Sequence, residues 1–160
     1  MYQLAARYYP KEWPELVDEA LNRIDNSGDM FELLGSVEAL RAVYSVFGGS
    51  IMKEIELSNL CNKSLRSLLA LISKLFQHFN LDTSAILVSC FKTISAALKM
   101  HLPEMVALNK HNIMILLKKV LDLPIPPSNY QNLVSLKKIS LRILWRIYMK
   151  HANPKMTTNL

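Results

Sequence analysis

Four histidines, two cysteines, an acidic cluster and a basic stripe are the residues of this 160-residue chain whose types could do chemistry. Their spacing argues against most of it. His78, His101, His111 and His151 form neither an HExxH nor an HxH pattern, so no zinc-type ligand set is written along the chain. His101 and His111 flank one loop and could meet, but with no acid or thiol close by in sequence they are expected as two solvated loop histidines. Cys61 and Cys90 stand in apolar surroundings with no CxxC, which reads as reduced core residues of a cytosolic or nuclear protein. The serines lack a GxSxG elbow, and Ser50 after Gly48 and Gly49 reads as a helix cap. All four glycines precede residue 50 and make neither a P-loop nor a GxGxxG turn. The expectation is a protein without catalysis, metal or cofactor.

Charge is the stronger signal. The net charge of +6 hides a split: residues 1–60 hold 5 Lys+Arg against 10 Asp+Glu, and residues 61–160 hold 14 against 3. The first part is therefore acidic and the second is an electropositive surface. Lys138, Arg142, Arg146 and Lys150 recur every fourth residue, which on a helix sets like charges side by side at a cost of a few tenths of a kcal/mol per pair. Three readings of that stripe stand: a solvated face, an acidic partner within the same protein, or an anion such as nucleic acid or phosphate. No interleaved aromatic residues or Gly-rich loop accompanies it, so nucleic acid is the least supported. Glu12, Glu15, Asp18, Glu19 and Asp25 form the opposing cluster, either a face for a basic partner or a solvated surface.

The elements that must carry these residues are helices. Trp13, Leu16, Val17, Ala20, Leu21 and Ile24 follow the helical period, with Pro14 at the first turn and Gly28 past the end. A second helix is expected from Asp29, its N-cap, to Phe47, with Glu32 completing a capping box and Gly48 and Gly49 ending it. Residues 50–62 are ambiguous between a short helix and a loop. Periodicity then predicts helices from Ser64 to Asn80, from the Asp82–Thr83 cap to about Met100, over 110–122, and from Tyr130 to His151 after the stop at 124–127. Eight methionines are scattered without a stripe and read as core filling. The apolar runs fall short of the roughly 20 residues that span a bilayer, and no signal peptide opens the chain.

The three helix pairs begin near residues 12, 64 and 112, so the fold class is all-α, as stacked antiparallel helix pairs or an irregular bundle. The last helix favours the stack. Leu133, Leu136, Leu141, Ile143, Leu144, Trp145, Ile147 and Tyr148 cover more than half its circumference, an arc that demands cover on two sides. The expected organisation is the tail of a preceding helix over 1–9, HEAT-like repeats over about 10–49, 50–101 and 102–151, and a tail or linker over 152–160. Both termini then look cut from a longer array, and self-association through the exposed ends is expected.

Tyr9-Pro10-Lys11-Glu12-Trp13-Pro14-Glu15-Leu16-Val17 resembles the YPxxWPxLv segment of importin-β superfamily transport receptors, the karyopherins. Leu102-Pro103, then Asp122-Leu123-Pro124-Ile125-Pro126, then Lys137-Lys138 opening a helix, resemble the importin seven/importin eight type in order and spacing. The resemblance implies a HEAT-repeat receptor moving between cytoplasm and nucleus through the pore, with protein cargo, the Ran GTPase and nucleoporins as partners. It assigns structural roles to Tyr9, Pro10, Trp13 and Pro14: the prolines set the turn and first helical position, and Trp13 anchors the first inter-repeat core. The chain's +6 charge is opposite in sign to the family's usual acidity.

Overall fold

A computed structural model describes residues 2–124 and 130–152. Helix α1 (Tyr2–Tyr8) leads through a turn to α2 (Leu16–Asn26) and α3 (Met30–Gly48); a 3₁₀ turn over Ile51–Lys53 opens α4 (Glu54–Gln77), followed by α5 (Leu81–Ala97), α6 (Glu104–Leu108), α7 (Lys110–Asp122) and α8 (Tyr130–Ala152). No strand occurs among the described residues. The predicted 152–160 tail lies outside the described residues apart from Ala152, which ends α8, and so do residues 125–127 of the proline-rich stop.

The first hairpin forms for the reasons its sequence announces. Leu16, Val17, Ala20, Leu21 and Ile24 are the buried side of α2, the i, i+4 spacing of an amphipathic helix. Asp29 caps α3 by accepting the Glu32 N–H at 2.9 Å. The return bond of the capping box takes another route: Ser27 Oγ accepts from the Asp29 N–H and donates to Glu32 Oε2 at 2.7 Å. A three-residue connection therefore reverses the chain with its polar groups paired. Residues 78–80 do the same before α5, where Asn80 and Thr83 exchange bonds of 2.8 and 2.9 Å. The cap lies two residues earlier than the predicted Asp82–Thr83 site.

Helix α4 is the largest departure. It begins at Glu54, ten residues before the predicted Ser64, and resolves the ambiguous 50–62 stretch as helix. Leu57, Leu60 and Cys61 are its buried apolar row, and the polar Ser64 is buried with them. Ser64 Oγ meets the Tyr44 hydroxyl at 2.8 Å and donates to the Leu60 carbonyl at 2.6 Å, so the core accepts it. The five-residue α6, between Pro103 and Asn109, is too short to leave a periodic signal.

The helices lie in two layers. Helices α1, α3, α5 and α8 pack side by side in one; α2, α4 and α7 form the other; and α2–α3, α4–α5 and α7–α8 are the cross-layer pairs. Burial follows this order. Helix α5, between α3 and α8 and against α4, buries Ile86, Leu87, Val88, Cys90, Phe91, Ile94 and Ala97, leaving Lys92 as an exposed break in that run. Three bonds across the stack share one offset. Hydrogen bonds from α3 or its following turn reach 51 residues ahead, Ser89 Oγ to Glu38 and His101 Nε2 to the Ser50 carbonyl, and Arg146 on α8 returns 51 residues to Ser95. Other contacts between the pairs span other distances, 48 residues from Asn132 to Ser84 and 42 from Ser67 to Asp25, so the shared offset belongs to these three bonds.

Gly48 shows how tight the α3–α5 seam is. It is a buried residue with no positive φ, and a Cβ there would sit 2.1 Å from the Ala96 carbonyl oxygen. Gly48 and Gly49 end α3 as the sequence predicts, and Gly48 has a packing role besides, the absent side chain letting two backbones approach.

Candidate functional site

The acidic cluster lies on the first hairpin and the turn before it. Glu12, Glu15, Asp18, Glu19 and Asp25 are all exposed. Two are engaged by the neighbouring pair: Asp18 forms an ion pair with Lys63 at 2.5 Å, and Asp25 accepts from Ser67 Oγ at 3.2 Å. These contacts tie α2 to α4, so part of this surface is spent on stacking. Glu15 precedes α2 without a side-chain capping bond.

Of the four motif residues, Tyr9 carries the packing. Its ring lies 5.8 Å from that of Phe47, centroid to centroid, and it is packed against the core. Burial raises its hydroxyl pKa; Lys63 opposes that shift and Asp18 adds to it. Trp13 does not anchor the core as expected. It is 38% exposed and lines a shallow groove with Leu16, Ala20, Arg23, Ser36 and Ala39. Pro14 also falls outside the predicted first helical position, two residues before α2 begins, and Pro10 is an exposed turn residue. The turn folds back on α1 through the Glu12 and Trp13 N–H groups, both donating to the Tyr8 carbonyl, and Trp13 sits at the groove between α2 and α3.

The basic stripe does not stand alone. Arg142 and Arg146 of α8 meet Arg41 of α3, Lys92 of α5 and Lys99 of the turn after it around one groove of about 340 Å³. Three helices separated by tens of residues in sequence supply it, so only Arg142 and Arg146 of these five were legible as a group. Ser45, Ser95, Ala96 and Ile139 complete the lining. Arg146 is half-buried; its guanidinium donates to the Ser95 backbone carbonyl and to Ser95 Oγ at 2.9 Å. Lys138 is exposed along the same helix, and Lys150 is half-buried one turn beyond Arg146. Burial, then Arg142, lowers the Arg146 pKa; burial, then Arg146, lowers that of Lys150. Among the described ion pairs, one touches this groove: Arg41 with Glu38 at 2.9 Å, whose other oxygen accepts from Ser89.

On its other flank α8 presents Leu141, Trp145 and Tyr148, 56%, 61% and 65% exposed. With Met114, Leu144 and Ile147 they line an apolar groove of about 460 Å³. The wide apolar arc is therefore real, and only its inner part, Leu133, Leu136, Ile139, Ile143 and Ile147, is covered.

The groups able to do covalent or metal chemistry do not converge. His101 is buried and bonded to the Ser50 carbonyl at 2.9 Å, which corrects the reading of it as a solvated loop residue; His111 is exposed on α7. Burial holds the Cys61 thiol up at about 11 and raises Cys90 further, so both stay protonated near neutral pH. No group of three His, Cys, Asp or Glu among the described residues is placed to hold a metal ion, and no described helix is long and apolar enough to cross a membrane. Compared with known protein families, curated proteins and solved structures, the chain matches none.

Proposed function

We propose that the chain is a helical-repeat segment of an importin-like nuclear transport receptor, binding protein cargo and transport factors through helix-built surfaces. The observation that carries this reading is the stack itself. Antiparallel helix pairs packed in two layers leave outer faces whose charge changes along the chain, a geometry that serves recognition of extended partners. The Tyr9–Pro14 element, which resembles the karyopherin segment, supports it by standing directly before the first cross-layer pair. In this reading Glu12, Glu15 and Glu19 face a basic cargo, Ran and nucleoporins are further partners, and the protein works in cytoplasm and nucleus at the pore.

Pull-downs with immobilised FG-repeat nucleoporin, GTP-bound Ran and a basic cargo peptide test it. Recovery of the chain by at least one of these, with cargo binding lost in a Glu15→Lys/Glu19→Lys variant, is the expected result. Failure with all three overturns the reading.

A further inference from the structure

The groove shared by α3, α5 and α8 carries an imbalance that the fold does not resolve. Five cationic side chains line it, and the described ion pairs bring one carboxylate, Glu38, to one of them. Lys92, Lys99 and Arg142 are exposed, whereas Arg146 is held in place by two bonds to Ser95. A guanidinium fixed by neutral acceptors keeps further N–H donors for a ligand, and its planar fork matches a carboxylate in two-point contact. Arg142, Arg146 and Lys150 follow one another at every fourth residue of α8, so their positive charges oppose one another and a bound anion relieves that repulsion.

Shape and lining select among anions. Adjacent packed helices lie about 8–10 Å apart, so the three helices span about 20 Å. An extended chain covers that distance in roughly six residues at about 3.3 Å each. The Ser45 and Ser95 hydroxyls lie along the path, and no aromatic ring lines it on which a base could stack. We propose that this groove docks an extended Glu/Asp-rich segment of a partner protein, its carboxylates meeting Arg41, Lys92, Lys99, Arg142 and Arg146. The inference concerns an acidic partner on the opposite surface from the proposed cargo face, and it stands or falls independently of the transport reading.

Fluorescence anisotropy on the full chain tests it, with a short labelled peptide of alternating Glu and Gly as one probe and single-stranded oligouridylate as the other. The peptide is expected to bind at low salt, to bind more weakly at physiological salt, and to lose about tenfold or more in affinity in a Lys92→Glu/Arg142→Glu variant. A Lys118→Glu/Lys119→Glu variant makes the same change in net charge on α7, in the other layer, and is expected to bind like the parent. Circular dichroism checks that both variants fold; should the first not, Lys99→Gln replaces it, with a smaller loss of the same sign. No peptide binding, equal losses in groove and control variants, or tighter binding of the RNA than of the peptide overturns the proposal.

Discussion

The two seams that join α5 to its neighbours each hold a bond of the same 51-residue offset and end up with different characters. At the α3–α5 seam the backbones touch through Gly48 and Ala96, Glu38 accepts from Ser89 across the gap, and His101 closes the end on Ser50. At the α5–α8 seam the cross-links are Asn132 to Ser84 at 3.0 Å and Arg146 to Ser95, and no carboxylate enters among the described bonds. The first seam is closed by backbone contact and a carboxylate; the second is bridged, among the described bonds, by neutral acceptors alone. Repetition of a fold unit thus fixes where residues meet, while the residue types at those positions decide whether a seam is structural or open to a ligand.

The largest expected effect breaks the first seam. Gly48→Ala places a methyl against the Ala96 carbonyl, which neither backbone can yield cheaply, and should cost about 3 kcal/mol in urea unfolding. Gly35→Ala, at a helical site with open space, should instead be neutral or mildly stabilising. A loss at Gly48 no larger than at Gly35 would show the two backbones to be farther apart than described.

Alkaline pH probes the core shared by both seams. Because burial raises the folded pKa of Cys61 and Cys90, their contribution is complete below the unfolded thiol value of about 8.5 and is lost as pH rises towards the folded values, about 11 for Cys61. Stability should fall by about 1.4 kcal/mol per pH unit for each thiol above that onset. Denaturation midpoints should decline more gently in a Cys61→Ala/Cys90→Ala variant, and both thiols should resist a disulfide reagent until the chain unfolds.

Smaller effects sharpen the contrast. Ser89→Ala removes the hydroxyl that Glu38 accepts across the first seam and should cost about 1.5 kcal/mol. Arg146→Met gives up two bonds at the second seam but also removes a partly desolvated charge beside Arg142, so its thermal midpoint should stay within about 0.5 kcal/mol of the parent. Asp18→Asn, losing an exposed ion pair with Lys63, should cost about 0.5 kcal/mol or less and vanish in high salt. Equal costs for Ser89→Ala and Arg146→Met would erase the distinction between the seams.

Helical period, caps and prolines made most of the fold legible, because each acts within a few residues: Asp29 before α3 and the apolar rows of α2 and α8 needed no tertiary information. The start of α4 was hidden because its first turn carries one apolar side chain, Ile55, which is exposed, and the buried row begins only at Leu57. Tyr9 packs on the core where Trp13 was expected to, since side-chain size does not say which way a turn faces. The basic groove was half legible. Arg142 and Arg146 show on one helix, whereas Arg41, Lys92 and Lys99 join them only by stacking; a comparison at the offset of those three bonds would have flagged Arg41 with Lys92 and Lys99 with Lys150, both 51 apart.

The central claim is that the cationic groove across α3, α5 and α8 is a docking site. Hydrogen exchange followed by mass spectrometry, with and without the Glu-Gly peptide, tests it most directly. The account predicts added protection confined to residues around Arg41–Ser45 of α3, Lys92–Lys99 at the end of α5 and Ile139–Arg146 of α8. Protection on α2 and α4 instead, or none at peptide concentrations that saturate binding, would contradict it.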